Sequence, residues 1–86
     1  MHSFWLAQVS QPLLNKMLEQ IHAGGSVITR EADTYTVEGS GITAQINYEP
    51  TNQRALVTIL SKPFLAPVSY IESEVRKALR EARGSL

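Results

Sequence analysis

Apolar residues recur at helical spacing in the first quarter of the chain. Leu13, Leu14, Met17, Leu18 and Ile21 form one stripe, while Asn15, Lys16, Glu19, Gln20 and His22 fall outside it. Ser10 stands where an N-cap hydroxyl is needed, and Pro12 lies in the first turn, where a missing N–H costs nothing. Gly24-Gly25 supplies the stop. The pattern predicts an amphipathic helix over 11–23. Ahead of it, Phe4, Trp5, Leu6 and Val9 read either as a backward extension of that helix or as a separate arm, residues 1–9, flexible or crossing to a partner.

The period then shortens to two. Residues 26–30 and 34–38 are β-branched and aromatic and flank Glu31-Ala32-Asp33, a connection suited to a hairpin. After Gly39-Ser40-Gly41 the alternation is cleanest, with Ile42, Ala44, Ile46 and Tyr48 on one face and Thr43, Gln45 and Asn47 on the other. Residues 49–53 turn the chain into 54–61, a strand apolar on both sides: Ala55, Val57 and Ile59 against Leu56 and Leu60. A doubly apolar strand is covered on both faces or offers one to another subunit.

Pro63 and Pro67 end the sheet, since proline cannot donate to a ladder. The last helix has two starting registers. Ser69 caps it with Glu72 reaching back, or Pro67 opens it with Leu65 stapled on Tyr70. In both, Val68, Ile71, Val75, Ala78, Leu79 and Ala82 share a stripe that ends at Gly84. The expected fold is therefore α+β, a two-layer sandwich in the order helix, antiparallel meander of three or four strands, helix. Both helices should lie on one sheet face, and residues 1–86 make a single domain.

Composition limits what such a fold can do. The chain has 86 residues, no cysteine, and eight basic against eight acidic side chains. At 9.5 kDa it should expose about 5,000 Å² when folded, enough for one modest core. A neutral chain lacks the basic excess that duplex nucleic acid usually selects, and it meets no charge repulsion from its own kind. Without cysteine, disulfides and thiolate metal sites are excluded. Neither a secretory signal nor a run of about 20 apolar residues is legible, so a cytoplasmic protein with no membrane partner is expected.

Candidate chemistry is sparse. Gly39-Ser40-Gly41-Ile42-Thr43-Ala44 has the form G-x-G-x-x-A, but that fingerprint must open a helix, and here it opens a strand. His22 suits the last turn of the first helix as a dipole partner, and His2 has no companion at ligand spacing. Ser40 lacks the elbow and the base of an activated nucleophile. Glu72 and Glu74 point apart on a helix, while Glu38, Glu49 and His22 would make a site only if a second subunit joined them. No catalytic residue, metal site or cofactor is expected.

Binding signals remain. Arg76, Arg80 and Arg83 align on the last helix with Lys77 at their edge, a candidate anion contact that reads first as a solvated face with a Glu72–Arg76 pair. Phe64, between two prolines, is either a plug closing the sandwich, the preferred reading, or an exposed anchor. The expectation is a small non-catalytic interaction module acting as a homodimer through Phe4, Trp5, Leu56, Leu60 and Phe64. Two alternatives stand beside it. One is a carrier of a small hydrophobic ligand in a sheet–helix pocket lined by Met17, Ile46, Tyr48, Val57, Ile59 and Val75. The other is a nucleic-acid accessory protein using the basic flank of the last helix.

Overall fold

The structure, a computed structural model, describes residues 2–86. Helix α1 (Gln11–Ala23) starts and stops where its capping residues dictate: the Ser10 hydroxyl accepts from the Leu13 N–H at 3.3 Å, and Gly24 closes the last turn on the Gln20 carbonyl. Leu13, Leu14, Met17 and Leu18 are its buried stripe. His22 uses Nδ1 to reach the Ser26 carbonyl at 3.0 Å, just beyond the helix end.

Four strands follow as a meander, β2 (Val27–Glu31), β3 (Thr34–Gly39), β4 (Ile42–Glu49) and β5 (Arg54–Ser61). The first turn is Ala32-Asp33, with Ala32 at φ 56°. The second is Ser40-Gly41, with both residues at positive φ, 53° and 76°, the mirror-image turn whose twist matches the flanking strands. The third is Pro50 to Gln53, ending in Gln53 at φ 50°.

A fifth strand corrects the strand count and the N-terminal expectation. Residues 2–6 are neither a helical extension nor a free arm, but form β1 (His2–Leu6), antiparallel to β5. The sheet order is β1-β5-β4-β3-β2. The reason lies in the alternation of His2-Ser3-Phe4-Trp5-Leu6: Phe4 and Leu6 point into the core opposite Val57 and Ala55, while Ser3 and Trp5 face outward opposite Thr58 and Leu56. A five-residue strand carries too few periods to stand out until its partner is known.

One sheet face carries the core. Phe4 and Leu6, Ala55, Val57 and Ile59, Ala44, Ile46 and Tyr48, and Tyr35 pack under the two helices. The other face is polar along its middle, where the row Ser3, Thr58, Gln45, Thr36, Thr29 crosses all five strands, and carries Trp5 and Leu56 at the β1 border. Helix α2 (Val68–Gly84) shares the inner face with α1 and buries Ile71, Leu79 and Ala82. Neither predicted starting register applies. Pro67 is the N-cap itself, no side chain caps the helix, and Leu65 and Tyr70 are both exposed rather than stapled. Total accessible surface is 5261 Å², close to the value of about 5,000 Å² expected for a folded chain of this mass.

Two hydrogen bonds fix the link between β1 and α1. The Val9 N–H donates to the Gln53 carbonyl at 2.7 Å, and the Val9 carbonyl accepts from the Tyr48 hydroxyl at 2.7 Å. No helix among the described residues is long and apolar enough to cross a membrane.

Candidate binding cleft

The helices part over the middle of the sheet. Where the C-terminal turn of α1 faces the body of α2, a cleft of about 440 Å³ reaches down to Val37 of β3, to Ile42, Ala44 and Ile46 of β4, and to Val57 of β5. These side chains form the floor because strand alternation sends them to the helix-bearing face. Ile21 from α1 and Ile71, Val75 and Ala78 from α2 make apolar walls. The turn Gly39-Ser40 and Ser26 close one end.

Polar groups sit at the rim. Glu74, Lys77 and Glu81 project from successive turns of α2, and Gln20 stands on α1. The Gln20 Oε1 atom is buried and finds no hydrogen-bond donor among the described residues. Tyr70 completes the wall with much of its ring still in solvent. The arrangement offers an apolar floor and a charged lip. Its titratable lining consists of Glu74, Lys77, Glu81 and Tyr70.

The residues expected for a ligand pocket divide. Ile46, Val57 and Val75 line the cleft, the first two as its buried floor, whereas Met17, Tyr48 and Ile59 lie outside its lining. Ile21, Ile42 and Ala78 were missed, although their positions on apolar stripes carried the signal.

The expected interaction residues lie in three places. Phe4 is buried on the inner face, with the Arg76 guanidinium 5.2 Å from its ring centre, so it belongs to the core. Trp5, 42 % exposed, lies on the outer face beside Leu56, and Arg54 covers its ring at 4.1 Å. The second apolar face of β5 is thus partly satisfied within the chain. Leu60 is the extra residue of a bulge, where Thr43 and Ala44 face Ser61 and Ile59. Phe64 is 94 % exposed and Leu65 87 %. The plug reading of Phe64 is overturned, because the connector runs outside the sandwich rather than across its mouth.

The basic flank of α2 also divides. Arg76 bonds Glu72 at 3.0 Å and the Trp5 carbonyl at 3.4 Å, and Arg83 reaches the Gln8 carbonyl at 3.3 Å. Lys77 belongs to the cleft rim, and Arg80 makes no ion pair among the described residues. Glu72 also accepts from His2 at 3.2 Å; that bond, and then the one from Arg76, hold its carboxyl below the usual carboxylate value. Glu49 is lowered likewise, first by Asn52 and then by Arg54.

Glu38 and Glu49 stand at separate sheet positions, and no group of three His, Asp or Glu side chains among the described residues is placed to hold a metal ion. No family model matches the chain, and neither the curated proteins nor the solved structures contain a match to it.

Proposed function

We propose that this chain is a small non-catalytic binding module whose working surface is the cleft between α1, α2 and the sheet. The observation that supports it is the part-exposed apolar lining of Ile21, Val37, Ile42, Val75 and Ala78 set around a buried floor of Ile46 and Val57. Apolar surface left open forgoes about 25 cal/mol for each Å² that a guest would cover. A guest of one or two apolar side chains suits a cleft that is open at the mouth, apolar within and charged at the lip. The net charge of zero leaves association between like copies unopposed. The proposal includes a cytoplasmic setting, in keeping with a cysteine-free sequence.

A second reading, carriage of a small hydrophobic ligand, is supported by the volume, which falls within the range of about 300–1,000 Å³ typical of ligand sites. Nucleic-acid binding has less support, since Arg76 and Arg83 are already engaged with protein groups. Methyl NMR titrations separate the readings. The module is expected to show shifts at Ile21, Ile42 and Val75 on adding the peptide acetyl-Pro-Phe-Leu-Ala-Pro-amide. Saturation by decanoate with no response to peptide would transfer the cleft to a carrier. Silence toward both in a monomeric chain would remove it as a working surface.

A further inference from the structure

We infer that the guest of the cleft is a second copy of this chain, which inserts Phe64 from its connector while its own cleft receives Phe64 in return. The inference rests on the binding-module reading and names the partner of that same cleft.

The connector is built to present this ring. Prolines at 63 and 67 restrict the backbone, and the Ala66 N–H closes a turn on the Pro63 carbonyl at 3.0 Å. A ring held out on a stiff support loses little freedom on docking. Phe64 is almost wholly exposed, and a buried aromatic ring contributes about 200 Å² to an interface.

Position supplies the geometry. A Cβ on Gly41 would lie 3.3 Å from the Pro63 ring, so the connector starts against the turn that closes one end of the cleft. Beyond Pro67, Tyr70 rejoins the cleft wall. Knob and hollow therefore sit side by side. A two-fold axis between them satisfies both contacts at once and closes the assembly at two copies.

Charge points the same way. Lys62, beside the knob, meets no carboxylate among the described residues; its only bond is to the Pro63 carbonyl at 3.5 Å. Glu74 and Glu81 on the cleft lip are likewise outside any ion pair, with Lys77 between them. The two-fold arrangement carries the Lys62 of each copy toward the acidic lip of the other. A stable dimer needs about 800 Å² per partner, about 15 % of this chain's surface, which the cleft mouth, Phe64, Leu65 and Tyr70 can centre.

Sedimentation equilibrium from about 1 to 500 μM tests this. The wild-type chain should reach twice 9.5 kDa. Phe64→Ala changes a side chain that the monomer does not pack, and should weaken the dimer by about 100-fold or more, because two rings are lost per dimer. Ala78→Arg, which blocks the hollow, should do the same with an unchanged circular dichroism spectrum. In a mixture of labelled and unlabelled chains, the Phe64 ring should show contacts to the Ile42 and Val75 methyls across copies.

A monomer at every concentration overturns the inference, as does a dimer that keeps its affinity in Phe64→Ala, for example by pairing through β2. Absence of the cross-copy contacts also overturns it. A monomer whose cleft methyls respond to the peptide retains the binding module and loses only the second copy as partner; one that responds to decanoate alone passes to the carrier. A monomer silent to both loses the module as well.

Discussion

Tyr48 and Tyr35 are buried tyrosines on neighbouring strands of one sheet face, 5 % and 4 % exposed, with opposite hydrogen-bonding fates. The Tyr48 hydroxyl donates to the Val9 carbonyl at 2.7 Å, whereas the Tyr35 hydroxyl is buried with no partner among the described residues. Changing Tyr48 to Phe removes a bond worth about 0.5–1.5 kcal/mol net and leaves the carbonyl of fully buried Val9 without its donor, a further cost of order 1 kcal/mol. A total of about 2 kcal/mol is expected. With an unfolding entropy of about 2.1 cal/mol/K per residue, 86 residues give about 0.18 kcal/mol/K, and the midpoint should fall by about 11 °C. Tyr35→Phe removes an unmatched polar group and should leave stability unchanged or raise it by up to about 1 kcal/mol.

Urea titration and calorimetry of both variants at pH 7 make the comparison. Equal losses in the two would refute the reasoning, because ring shape rather than the Val9 bond would then be responsible. Alkaline pH gives an independent check. Burial, then the nearby Tyr35 and Asp33, raise the Tyr48 hydroxyl above its ordinary 10.0. The unfolded chain therefore loses this proton first. The contribution is whole below pH 10 and falls as pH rises through the folded value, so Tyr48→Phe should flatten that limb of the stability profile.

Gly39→Ala should destabilise the fold by about 1–3 kcal/mol in urea titrations, since the added carbon would fall 2.5 Å from the Ser26 Oγ and 3.2 Å from its Cα. Ser40→Asn should raise the unfolding free energy in urea titrations by about 0.5 kcal/mol, because Asn-Gly suits a turn with both residues at positive φ better than Ser-Gly does. Arg54→Ala should shift the emission of Trp5, the sole tryptophan, to longer wavelength and cost about 0.5–1 kcal/mol as the ring loses its cover. Glu72 titrates below its unfolded value, so its contribution is present above pH 4.5 and lost as pH falls through the folded value; His2→Ala should make the acid limb shallower.

The legible parts of this fold are those where local chemistry decides. Ser10, Pro12 and Gly24 delimit α1, and the strict alternation from Ile42 to Tyr48 gives β4 its inner face. β1 was hidden because its strand character depends on β5, and the doubly apolar pattern of β5 was the trace of it: Leu56 is apolar on the outer face because Trp5 lies across from it. The cleft was legible only as a set of apolar stripes. Whether Val75 or Met17 lies in an opening or in closed core depends on where two helices part, which periodicity does not encode. Phe64 was misjudged for a related reason: two prolines signal a stiff connector but not the side of the sandwich it follows.

The two borders of the sheet are treated differently. Along β1, α2 lays down a series of contacts, from His2 with Glu72, through Arg76 to the Trp5 carbonyl, to Arg83 on the Gln8 carbonyl just beyond the strand. β2, at the far border, pairs with β3 on one side and has no strand on the other. Strand-by-strand growth into a fibre needs an acceptor at each end of every added unit. A chain whose β1 border is partly covered in this way offers β2 as its more open border to a neighbouring strand. The arginine stripe, which the sequence offers first as a solvated face, thus places charge and bulk along the β1 border, the kind of cover that discourages strand addition at an edge.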